Sequence, residues 1–180
     1  MATYISILRG INVGGQKRVL MADLTKLYEN IGFQSVVTYI QSGNVIFEST
    51  ENISIEMLCQ RIEKAIFEHY QFVVPVIVRN KTELTNIIAT NPFTIQAGVD
   101  FEKLHVTFLS ETPSDVALEK MKTYDYAPDQ FMIIGQNVFL HCPIDYGHSK
   151  LSNSFFENKL KVRATTRNWK TVNKLLELAN

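Results

Sequence analysis

The sequence predicts an α+β protein built as two tandem ferredoxin-like (α/β plait) halves with antiparallel sheets, plus a C-terminal helix. Three observations lead to that class. Over residues 1–79, short β-branched and aromatic runs alternate with helical periodicities in the order βαββαβ, the order of a split βαβ unit. The order βαββα comes again after residue 103. The hairpin stretch Gly43-Asn44-Val45-Ile46-Phe47 is echoed by Gln136-Asn137-Val138-Phe139-Leu140, which predicts an internal duplication. The expected division is a first half over 1–79, a helical connector over 80–102, and a second half with C-terminal helices over 103–180.

Tyr4 to Leu8 is short, β-branched and aromatic, as a strand requires. Met21, Leu24, Leu27, Tyr28 and Ile31 recur at helical spacing, and Gly32 stands where a left-handed stop belongs. Val36 to Ile40 and Val45 to Phe47 read as a hairpin around Gln41-Ser42-Gly43-Asn44. Ile55, Leu58, Ile62, Ala65, Ile66 and His69 mark one face of a long helix, and Phe72 to Val78 returns as an edge strand that tolerates Pro75. Asn80 with Glu83 forms a capping box for a helix that Asn91-Pro92 ends.

Beyond the connector, Lys103 to Leu109 is a strand, and Thr112-Pro113-Ser114-Asp115 opens a helix with a cap, a proline at its first position and an acidic first turn. Phe131 to Ile134 and Val138 to Cys142 form a second hairpin, followed by a helix over Leu151 to Leu160. No fourth strand is legible there. Thr165-Thr166 instead reads as the cap of a last helix with the apolar stripe Trp169, Val172, Leu175, Leu176 and Ala179, which has to dock on another element.

Composition narrows the functional classes. The chain has 46% hydrophobic residues, and 18 basic side chains balance 18 acidic ones, so no global field draws in polyanions. Nucleic acid is therefore the less favoured partner and would need a local basic patch. The longest apolar run, Phe72 to Val78, is far below the roughly 20 residues of a spanning helix, so no membrane role is expected. Cys59 and Cys142 form no CxxC pair, and Arg9 interrupts the N-terminal apolar run too early for a leader, so a cytoplasmic location is expected.

Three polar stretches are candidates for a site. Arg9-Gly10-Ile11-Asn12-Val13-Gly14-Gly15-Gln16-Lys17-Arg18 follows the first strand. It has the glycine spacing of a phosphate loop, but its lysine comes one position late, so it is neither a Walker motif nor a dinucleotide fingerprint. Its glycines would let the backbone approach an anion beside Lys17 and Arg18, or would simply supply the positive φ of a connection. In Tyr146-Gly147-His148-Ser149-Lys150, Ser149 is expected to cap the following helix with Lys150 beside it. In Thr165-Thr166-Arg167-Asn168-Trp169-Lys170, cations at a helix start oppose the macrodipole and so point to a nearby anion.

Other chemistries find little support. His141 and Cys142 point to opposite faces of a strand, so with Asp145 and His148 they make no standard zinc pattern, and neither a metal nor a cofactor is expected. No serine sits in a G-x-S-x-G elbow. Val45-Ile46-Phe47-Glu48 supplies only one aromatic, short of an RNA-recognition signature.

The chain resembles a bacterial family catalogued as domain of unknown function 1697. Four stretches carry the resemblance: Arg9 to Gly15, Thr38-Tyr39-Ile40-Gln41-Ser42-Gly43-Asn44-Val45, Ser149-Lys150-Leu151-Ser152-Asn153, and Thr165 to Val172. The resemblance implies an α/β plait in each half and implies no activity. It also implies arginine where His148 stands here, which would exchange a permanent charge for a titratable one.

The sequence therefore predicts a binding protein for a small phosphate- or carboxylate-bearing ligand such as a nucleotide. The candidate residues are Arg9, Asn12, Gly14, Gly15, Lys17, Gln41, Ser42, Asn44, Ser149, Lys150, Arg167 and Asn168. The alternatives are an enzyme acting on a phosphorylated metabolite, with His148 or Asp145 as the titratable group, and a homodimeric interaction or nucleic-acid-binding module.

Overall fold

The computed structural model describes residues 1–180. The protein is α+β, with two four-stranded antiparallel sheets and six helices. Two compact units are formed, one by Met1–Thr85 with Lys174–Asn180 and the other by Asn86–Asn173. No helix is long and apolar enough to cross a membrane.

The first unit holds β1 (Ala2–Leu8), α1 (Met21–Asn30), β2 (Gln34–Tyr39), β3 (Asn44–Ser49), α2 (Ile55–Tyr70) and β4 (Val76–Asn80), with sheet order β2-β3-β1-β4. Side chains alternate across a strand, so Leu8, Val45, Phe47, Val76 and Val78 share one face of the sheet. That face packs with Leu24, Leu27 and Tyr28 of α1 and Leu58, Ile62 and Ile66 of α2 into one core. Tyr28 is fully buried, and its hydroxyl has a partner in Ser6 Oγ at 2.7 Å. Burial pushes the Tyr28 phenol well above its ordinary range.

α2 begins at Ser54, whose Oγ accepts from Met57 N, and stops at Gln71, which adopts the left-handed conformation. The fourth strand starts later than its sequence suggests. Phe72 to Pro75 lie before it, and it runs on through Arg79 and Asn80. Asn80 then opens α3 (Lys81–Ala89) by the expected capping box: Asn80 N donates to Glu83 and Glu83 N donates to Asn80 Oδ1, each at 2.8 Å.

The second unit contains β5 (Leu104–Leu109), α4 (Asp115–Met121), β6 (Gln130–Ile134), β7 (Asn137–His141), α5 (Asn153–Leu160) and β8 (Ala164–Asn168), with sheet order β6-β7-β5-β8. Leu109, Val138, Leu140 and Ala164 of the sheet pack with Ala117 and Met121 of α4 and Phe156 and Leu160 of α5.

Three expectations are corrected here. Ala164–Asn168 is a fourth strand, antiparallel to β5, and not the capped start of the last helix. Thr166 is held from the sheet and from a helix: its Oγ1 lies 2.7 Å from Thr107 Oγ1 of β5 and donates to Asn153 Oδ1 of α5 at 2.7 Å. The cap of α4 is Ser114, so Pro113 precedes the helix and is not its first residue. The cap of α5 is Ser152, and Ser149 lies outside that helix.

The last helix, α6 (Trp169–Leu178), starts directly after β8, with Asn168 Oδ1 accepting from Thr171 N at 2.8 Å. Trp169, Val172, Leu175 and Ala179 of its predicted stripe are buried.

Candidate functional site

A cleft of about 860 Å³ lies in the second unit. That volume is in the range of small-molecule sites. One wall is α4, whose Asp115, Leu118, Glu119 and Met121 line the cleft while Ala117 packs inward. The opposite wall is β6, from Gln130 to Ile133. Lys122, Tyr124, Asp125, Tyr126 and Asp129, with Phe93 and Gln96, complete the lining.

Each wall has a local cause. Ser114 Oγ accepts from Ala117 N and so fixes the start of α4. In the segment between α4 and β6, Asp125 Oδ1 accepts from Ala127 N and Asp129 N donates to Tyr126 O, which folds the chain tightly around the cis Ala127-Pro128 bond. Tyr124 and Tyr126 are stacked 6.2 Å apart, and Phe155 of α5 meets both rings edge-on at 5.5 and 5.4 Å. Phe93 is placed by the buried Asn91, whose Oδ1 accepts from Phe93 N at 3.0 Å.

The lining is aromatic and acidic. Four carboxylates, of Asp115, Glu119, Asp125 and Asp129, face a single lysine, Lys122, which is paired with Glu119 at 2.5 Å. Asp129 accepts from Ser149 Oγ at 2.6 Å. Two further lysines stand on the tyrosines without lining the cleft, with Lys150 Nζ 5.6 Å from the Tyr126 centroid and Lys159 Nζ 4.9 Å from that of Tyr124. The rings thus already hold ammonium groups on their faces.

The residues singled out in the sequence fall into three groups. In the first unit, the glycine loop and the Gln41 to Asn44 turn meet at one end of the sheet, where Ile7 faces Asn44. Asn12 joins them. Its Nδ2 donates to Val19 O and Gln41 O, and its Oδ1 accepts from Val19 N, all at 2.9 Å. Gly14 and Gly15, both at positive φ, form a two-residue turn closed by Gln16 N donating to Val13 O. Lys17 Nζ donates to Val73 O at 2.6 Å, and the Arg9 backbone N donates to Pro75 O at 3.0 Å. Asn44 is buried and donates to Tyr39 O and to Ser42 Oγ.

In the second unit, Ser149 and Lys150 border the cleft through Asp129 and Tyr126. Ser149 Oγ also accepts from Leu151 N, and from the Cys142 thiol at 3.8 Å. Burial pushes that thiol up to about 11. Arg167 and Asn168 form the last group. Arg167 is on β8 opposite Val106, and its Nη1 donates to Thr166 O at 2.9 Å. Burial pulls its guanidinium down to about 10, far enough above neutrality to leave it charged. Arg79 has the matching place in the first sheet, opposite Ile5, with Nη1 donating to Val78 O at 3.0 Å.

His148 and Asp145 pair at 2.5 Å on the surface, and this contact holds the Asp145 carboxyl below its ordinary range. Asp115, Glu119, Tyr124, Tyr126 and Asp129 were not singled out from the sequence. A usable signal was present in Tyr124-Asp125-Tyr126-Ala127-Pro128-Asp129, where aromatic and acidic residues alternate before a strand.

The profile of the family described as "Protein of unknown function (DUF1697)" matches residues 1–139. Among solved structures, the chain is similar to "conserved bacterial protein SP0830" from Streptococcus pneumoniae, with a TM-score of 0.74 and 24% identity over 99% of each chain. The likeness is one of fold. The curated proteins contain no match.

Proposed function

The chain belongs to the DUF1697 family of proteins of unknown function, and we propose that it binds a cationic organic ligand, one carrying an ammonium or guanidinium group, in the cleft between α4 and β6. The observation that carries this is the lining, with four carboxylates against one lysine beside two stacked tyrosines. A phosphate there would meet like charge. An organic cation would gain Coulombic attraction and a ring face, the latter worth about 0.5–2 kcal/mol. A thermal-shift panel of arginine amide, lysine amide and choline against glucose 6-phosphate and adenosine monophosphate tests this. Stabilisation by the amines alone supports it, and stabilisation by the phosphates alone contradicts it.

The same reading takes the two units as ferredoxin-like plaits derived from one duplicated unit. The matching sheet orders support it, as do the Arg-Asn pairs Arg79-Asn80 and Arg167-Asn168, each ending a strand and opening a helix through the asparagine. A cytoplasmic setting belongs to it too, supported by Cys59 and Cys142 remaining as buried thiols.

A second reading keeps a small anion at the glycine loop of the first unit. The Asn12 Nδ2 to Gln41 O hydrogen bond, which ties the loop carrying Gly10, Gly14 and Gly15 to the Gln41-Ser42 turn, favours it. Sulfate binding that is lost in Arg9→Glu, in a variant with unchanged circular dichroism, would support it. Sulfate binding that survives the substitution would count against it.

A further inference from the structure

We propose that the cleft's occupant is an extended peptide that adds as a strand to the β6 edge, with basic side chains at the alternate positions facing α4. This rests on the cleft being a site for cationic groups and names the class of partner that brings them.

β6 has β7 on one side and no strand on the other. In an antiparallel sheet, alternate residues of such an edge turn their N–H and C=O groups outward. Edge strands are normally blunted by bulges, prolines or charges. β2, the edge at the corresponding place in the first sheet, carries a register shift between Gln34 and Val37, with Ser35 at φ 51°. β6 has none of these. Gln130-Phe131-Met132-Ile133-Ile134 pairs in unbroken register with His141 to Asn137 and contains neither proline nor charge. Met132 and Ile134 remain 46% and 42% exposed, on the sheet face opposite to Phe131 and Ile133, which pack against the core with α4 and α5.

α4 supplies the second half of the arrangement. It runs along the cleft opposite β6 and directs Asp115 and Glu119 into it. An added strand would present one set of alternate side chains to α4 and the other set beside Met132 and Ile134. The complementary peptide therefore alternates Lys or Arg with aliphatic residues. Five residues, about 17 Å of strand, match the length of β6. Main-chain pairing gives affinity and the alternate side chains give selectivity, as in other strand-addition sites.

The test uses a fluorophore-labelled acetyl-Lys-Val-Lys-Val-Lys-Val amide and fluorescence polarisation with the full chain. Two derivatives are N-methylated, one at the lysines and the other at the valines, so that only one has its inward-facing donors blocked. The expected result is saturable binding, a loss of about tenfold or more for one derivative, and a change of less than about threefold for the other. Replacing lysine by glutamate should cost about tenfold or more, as should the double variant Asp115→Asn with Glu119→Gln.

Equal affinity of the two methylated derivatives overturns strand addition, whether both bind or both fail. An equally tight glutamate peptide overturns the charge assignment. If arginine amide binds and the lysine peptide does not, strand addition falls alone; if neither binds, the cationic site falls with it.

Discussion

Ser149 Oγ donates to the Asp129 carboxylate at 2.6 Å, and this single hydrogen bond ties the turn before α5 to the acidic wall of the cleft. The same oxygen accepts from Leu151 N at 3.1 Å, so one hydroxyl fixes both the carboxylate and the backbone that leads into the helix.

Removing that hydroxyl should loosen both partners. Ser149→Ala is expected to lower stability by about 1.5–3 kcal/mol, the range for a hydrogen bond to a charged group. Urea unfolding checks this. In a double-mutant cycle with Asp129→Asn, the two losses should fall short of additivity, because each removes the same bond.

Gly43 has no room for a methyl group. At φ 82°, a Cβ would stand 2.7 Å from Ile11 Cδ1 and 2.8 Å from Leu8 Cβ, atoms of two residues fully buried in the core. Gly43→Ala should cost about 2–4 kcal/mol, from left-handed strain together with overpacking. The midpoint of chemical denaturation reports it.

Asn12 joins the glycine loop to the Gln41 turn by three hydrogen bonds and adopts φ 55°, a conformation asparagine tolerates better than most residues. Asn12→Ala is expected to lose about 2 kcal/mol. Hydrogen exchange should show faster opening at Val19, whose N–H the side chain accepts.

Cys142 gives a pH dependence. Burial raises its thiol from an ordinary 9.0 to about 11. The folded state holds the proton more tightly than the unfolded chain, so this contribution is intact below pH 9 and is lost as pH rises from there to about 11. The unfolding free energy should decline over that window, and less steeply in Cys142→Ala.

The regular elements were legible because their signals are local. The 3.6-residue periodicity located α1 and α2, and the Asn80–Glu83 box opened α3 as its spacing requires. β8 was hidden because Ala164-Thr165-Thr166-Arg167-Asn168 has the composition of a helix cap. Only its pairing with β5 and the Thr107–Thr166 contact make its polar residues suitable for a sheet. The cleft was hidden for a different reason. Its carboxylates come from α4 and from the segment before β6, and an Asp or Glu on a helix surface has the same local sequence whether it faces solvent or a concavity. Ser149 and Lys150 were legible as polar turn residues, while their partners Asp129 and Tyr126 lie 20 and 24 residues earlier.

The most direct measurement is an amide chemical-shift titration of the full chain with arginine amide and, separately, with glucose 6-phosphate. A cationic site in the cleft predicts saturable shifts with arginine amide centred on Asp115 to Glu119 and Tyr124 to Phe131, weakened by added salt, and none there with the phosphate. Saturable shifts of those residues with the phosphate and none with the amine would contradict it.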